Sequence, residues 1–105
     1  MSTNAVIGLL TDNKVVAVCL HWDGYPDHAG KILLTNYNTT EQLQELLSFG
    51  EISSIASTIE DSVFYHRDKG EDLYIEENLT VDQFNKLREG SFHYLFDVDT
   101  GEYVK

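Results

Sequence analysis

Cysteine and proline occur once each in the 105 residues, as Cys19 and Pro26. A single thiol cannot close an intrachain disulfide, so stability must come from a packed core, which argues against the bridged scaffolds of small secreted domains. Cations are scarce as well. Seven Lys and Arg face eighteen Asp and Glu, a formal charge of −11. Such a field repels phosphate backbones and anionic lipid surfaces, which disfavours direct nucleic-acid binding and membrane association. No apolar run approaches the ~20 residues of a membrane-spanning helix. Met1-Ser2-Thr3-Asn4 places no basic stretch before its short apolar run, so the cytoplasm is the expected compartment. The sequence also lacks His-Glu-x-x-His and paired-Cys metal spacings, a Gly-x-Ser-x-Gly elbow and a Gly-x-x-x-x-Gly-Lys loop. No metal, no cofactor and no catalytic residue is therefore expected, and a small hydrolase using His21, Asp23 or His66 is the least favoured class.

What is present fits one globular domain over residues 1–105. Hydrophobic residues make up 42%, and six Tyr, five Phe and one Trp supply bulky core material. Val6 to Leu10 and Val15 to Leu20 are apolar runs separated by Thr11-Asp12-Asn13-Lys14, which predicts a β-hairpin. The second run is apolar at every position, so it predicts a central strand covered on both faces, with Cys19 as a buried inert thiol. Pro26 followed by Ala29, Ile32 and Leu33 predicts a helix over about 26–36. Thr39 with Gln42, and Thr80 with Gln83, resemble capping boxes and predict helices over about 40–49 and from 80 to a stop at Gly90. Val63-Phe64-Tyr65-His66 reads as a strand before an Arg67-Asp68-Lys69-Gly70 turn, and Leu73-Tyr74-Ile75 as a short strand or packed loop. Phe92 to Val98, a turn at Asp99-Thr100-Gly101 and Glu102 to Val104 predict a terminal hairpin. The expected class is α+β: a small antiparallel sheet of two hairpins and a central strand, packed with about three short helices.

Several segments together carry a resemblance. His21-Trp22-Asp23-Gly24-Tyr25-Pro26, Gly30-Lys31-Ile32-Leu33-Leu34, and Tyr65-His66-Arg67-Asp68-Lys69-Gly70-Glu71-Asp72 occur in that order. In this the chain resembles a family of small, mostly uncharacterised phage and prophage proteins, over roughly residues 5–75. The resemblance implies a viral or mobile-element context in a bacterial host, where small acidic domains disable host enzymes or defence systems. It implies no catalytic residue.

Two residue groups are candidates for binding. In the first, His21, Trp22, Asp23, Tyr25, His28 and Lys31 crowd a strand-to-helix junction, with His66 and Arg67 from the later element. Trp22 and Tyr25 suit stacking on a base, and Lys31 or Arg67 suits holding a phosphate, so a nucleotide is the possible ligand. The structural alternative uses Trp22 to plug the core, Gly24 and Pro26 to shape the turn, Asp23 or Asp27 to cap the helix, and Arg67 to bond Asp68. The second group is acidic: Glu60, Asp61, Asp68, Glu71, Asp72, Glu76 and Glu77. Residues 51–105 carry thirteen acids and five bases, net −8, against −3 for residues 1–50. Carboxylates on a rigid surface can imitate a phosphate backbone and occupy a host protein's basic surface, which predicts a non-enzymatic inhibitor of anti-CRISPR type. A homodimer through the edge of the terminal hairpin is also possible.

Overall fold

The computed structural model describes residues 3–88 and 91–104. The fold begins with β1 (Ala5–Thr11) and β2 (Lys14–Leu20), paired antiparallel from Ala5↔Leu20 to Thr11↔Lys14. Asp12 and Asn13 take φ of 50° and 66°. Two left-handed residues in a row make the tight turn whose twist matches the flanking strands, and Asp and Asn tolerate that conformation.

After β2 the chain makes one π-helical turn at Pro26–Gly30, with the Lys31 N–H reaching back to the Pro26 carbonyl, and continues as α1 (Lys31–Asn36). Next, α2 (Thr40–Ser48) starts where Thr39 Oγ1 accepts the Gln42 N–H at 3.2 Å, and it stops before Gly50 at φ 79°. Then come β3 (Ile52–Ser54) and β4 (Val63–Phe64). The strand expected over 63–66 ends at Phe64, and Tyr65–Lys69 forms a helical turn, α3. Two features divert the chain. The Asp68 carboxylate accepts the Phe64 N–H at 2.8 Å, and Gly70 caps the turn at φ 69°. Leu73-Tyr74-Ile75 is loop, and the strand follows it as β5 (Glu76–Leu79). Then α4 (Val81–Lys86) carries the full capping box of Thr80 and Gln83. It ends earlier than expected, with Leu87 extended and Arg88 at φ 47°, while the expected stop at Gly90 lies outside the described residues. The terminal hairpin is β6 (Phe92–Asp97) and β7 (Glu102–Tyr103).

The class is α+β, and the sheet is mixed where an antiparallel one was expected. Its order is β4-β3-β2-β1-β6-β7, with β5 also on β2. β1 runs parallel to β6, and β2 parallel to β3. The helical crossover between β2 and β3 makes that parallel pairing reachable. β2 is central, as its unbroken apolar run predicts. One face of the hairpin sends Ile7, Leu9, Val18 and Leu20 into a core with Leu33 of α1 and Leu43, Leu46 and Leu47 of α2. The other sends Val6, Val15 and Ala17 against Phe84 of α4. No helix among the described residues is long and apolar enough to cross a membrane.

Candidate functional site

The outer edge of β2 is shared by two strands. β5 pairs at Val15 and Ala17, with an irregular register between them, and β3 pairs only at Leu20. The two diverge around Cys19, and at that fork lies an open cleft of about 650 Å³. Cys19 contributes its floor. Glu51 arrives from the residue before β3, Gly70, Glu71 and Asp72 from the loop after α3, Tyr74 and Glu76 from the entry to β5, and Leu87 and Arg88 from the exit of α4.

Arg88 ties the cleft together. Its Nε donates to Cys19 Sγ at 3.2 Å, and its terminal nitrogen lies 3.9 Å from Glu51 Oε1. Burial pushes the Cys19 thiol up from its ordinary value, and the nearby guanidinium only partly opposes this. The sulfur is therefore a neutral acceptor and a poor nucleophile at neutral pH. The Tyr74 hydroxyl donates to the Glu76 carboxylate, which raises the phenol above its usual range. His21, which does not line the cleft, has its Nε2 3.5 Å from Glu51 Oε1, an ion-pair distance if the ring is protonated, yet it makes no hydrogen bond. The His21 ring packs edge-on against Tyr65, with centroids 4.9 Å apart. Four carboxylates against one guanidinium leave the cleft lining at net −3, which suits cationic side chains.

The acidic residues singled out from the sequence are divided by the fold. Glu71, Asp72 and Glu76 line the cleft. Glu77, one residue on, lines a hollow over the other face of the sheet with Gln44, Ser48 and Ile75. Asp68 is engaged internally: its carboxylate takes two N–H bonds from Arg67, both at 2.9 Å, as well as the Phe64 N–H. Arg67 holds that carboxyl below the usual range. Glu60 and Asp61 are exposed on the loop before Ser62.

The aromatic and basic set does not converge on the cleft, since none of its eight members lines it. Arg67 turns four N–H groups inward, to Asp68 twice, to the Ile59 carbonyl at 3.0 Å and to the Ser62 carbonyl at 2.7 Å, and it stacks over Phe64 at 4.8 Å. His66 Nδ1 is within 2.7 Å of the Glu71 carbonyl. Trp22 does not plug the core; it is 50% exposed. Tyr25 is 40% exposed, with its ring 6.0 Å from that of His28. Asp23 takes φ 55°, and no side chain caps the helical start at Tyr25. Lys31 lines a separate groove.

Cys19, Glu51, Tyr74, Leu87 and Arg88 were not picked out from the sequence as site residues. Cys19 was expected to be inert and buried; it is partly exposed on the cleft floor. Among the described residues, no group of three or more His, Cys, Asp or Glu side chains could hold a metal ion. No protein-family model, curated protein or solved structure matches the chain.

Proposed function

We propose that this chain is a non-enzymatic binding protein of phage type that inhibits a host defence or nucleic-acid-handling protein by occupying its basic surface, with the rim of the cleft as its working face. The observation that carries this reading is the convergence of Glu51, Glu71, Asp72 and Glu76, from three separate chain segments, on one open cleft. Carboxylates fixed on a folded surface lose little further freedom when a partner's cations arrive, and the −11 charge steers that partner in from a distance. The protonated thiol of Cys19, clasped by Arg88, also favours occupancy over bond-making. The nature of the partner rests on the resemblance and on the charge. A nucleotide at Trp22, Tyr25, His28 and Arg67 draws no comparable support, because the Arg67 donors are engaged within the fold.

The test is affinity capture from bacterial lysate at about 50 and 500 mM salt, between which the screening length falls from roughly 14 to 4 Å. Retention of a basic protein should fall steeply at the higher salt and on Glu71→Lys with Asp72→Lys. Glu77→Lys, facing the other side of the sheet, should leave retention intact. Equal loss from both substitutions, or capture indifferent to salt, would refute the assignment of the cleft.

A further inference from the structure

The chain has two arginines, and the fold holds them very differently. Arg67 makes four hydrogen bonds within the fold, two of them to the Asp68 carboxylate at 2.9 Å, and its guanidinium lies over the Phe64 ring. Arg88 has a side chain 41% exposed and, among the described residues, donates one hydrogen bond, to the Cys19 sulfur at 3.2 Å. A neutral thiol is a weak acceptor. Its carboxylate neighbour, Glu51, is 3.9 Å away, too far for the paired N–H bonds of about 2.7–2.9 Å with which a guanidinium grips a carboxylate. Glu71 and Asp72, on the same cleft, form no ion pair with Arg88 or with another cation among the described residues. The backbone explains the placement. Leu87 is extended and Arg88 is left-handed at φ 47°, so the chain leaving α4 turns this side chain back over the floor of the cleft.

We infer that Arg88 is a built-in occupant of the cleft, an autoinhibitory contact that a partner's cationic side chain must displace; this rests on the proposed role of the cleft. The chain's own guanidinium occupies the position proposed for the partner's. Its contacts are few and long, so a competitor able to pair two N–H groups with one carboxylate binds better. Displacement costs the fold little, because Arg88 is exposed at the exit of α4 and the core contact of that helix is Phe84. It costs binding more. With Arg88 seated the cleft lining is at net −3 instead of −4, and the apparent affinity for a cation falls with the fraction of molecules in which the seat is filled. The contact thus sets a threshold that a single cation meets poorly and an array of cations, each with a carboxylate to bind, meets well.

The experiment titrates an acetylated, amidated tetra-arginine peptide into the full chain by calorimetry at about 50 mM salt, where screening is weak. Arg88→Ala should bind the peptide about fivefold tighter or more than the parent. Lys86→Ala removes the same charge two residues earlier, from an exposed pair with Asp82, and should tighten binding by less than about twofold. Nitrogen NMR of the labelled parent reads the displacement directly, since only two arginine Nε–H signals arise and that of Arg88 is assigned by its loss in Arg88→Lys. At saturation with unlabelled peptide the Arg88 signal should move to the position of a solvated arginine while that of Arg67 stays. An Arg88→Ala chain no tighter than Lys86→Ala, or an Arg88 signal unmoved at saturation, would overturn the inference and leave the proposed role of the cleft standing, provided Glu71→Lys with Asp72→Lys still weakens binding. Binding indifferent to that pair of reversals, or no binding by the parent and by Arg88→Ala alike, would refute the role of the cleft and the inference with it.

Discussion

Gly8 lies mid-strand in β1, opposite Ala17 of β2 and Leu95 of β6. A methyl group built there would stand 2.6 Å from Phe84 Cε1 and 2.9 Å from Val15 Cγ1, where ordinary contact begins at about 3.4 Å. The Phe84 ring would have to retreat by about 0.8 Å, the difference between those values. Neither neighbour yields easily. Val15 is 0% and Phe84 1% exposed, and a β-branched side chain is stiff about its first torsion. Backbone propensity pulls the other way, since Gly inside a strand is worse than Ala by roughly 0.5–1 kcal/mol. Overpacking by one carbon costs ~1–3 kcal/mol, so the steric effect wins. Gly8→Ala should lose roughly 1–2 kcal/mol net, or about 5–15 °C in Tm for a chain of this size.

Urea unfolding of a double-mutant cycle isolates the cause. Phe84→Leu shortens the obstructing side chain and alone should cost about 1–2 kcal/mol. Phe84→Leu relieves the closer of the two clashes and leaves the one with Val15, so the double substitution should fall short of the summed losses by about 1 kcal/mol. Penalties that add to within about 0.5 kcal/mol would refute the steric argument. The contact matters to the site as well, because Phe84 anchors the helix whose exit carries Leu87 and Arg88 into the cleft.

Two further outcomes follow from placements the sequence left open. Trp22 is the only tryptophan and is half exposed, so its fluorescence should resemble that of a water-accessible indole and be quenched by acrylamide, and Trp22→Ala should change unfolding free energy by under about 1 kcal/mol; a blue-shifted, protected emission would return it to the core. The carboxyl of Asp68 is held low by Arg67, so its stabilising contribution is complete above the ordinary aspartate value of about 3.9 and is lost as pH falls from there through the lowered value of the folded state. Asp68→Asn should therefore be less stable than the parent at pH 7, and the gap should narrow in thermal melts as the pH is taken below the ordinary aspartate range; a gap independent of pH would show that the charge of Asp68 is not what matters.

The legible parts of the fold were those fixed by neighbours in sequence. Asp12 and Asn13 announce the opening hairpin because a two-residue turn needs left-handed residues. Thr39 with Gln42 and Thr80 with Gln83 announce helix starts because the side-chain bonds span three residues. Tyr65-His66 misled because its aromatic content favours continuing the strand from Val63-Phe64, whereas an Asp68 bond back to Phe64 and a left-handed Gly70 draw it into the helical turn. β5 was hidden because Glu76-Glu77-Asn78 is poor strand material; its pairing with β2 overrides propensity. The same distinction governs the site. Glu71, Asp72 and Glu76 stand out as charges, but Arg88 meets Cys19 across 69 residues, and no local pattern marks that encounter.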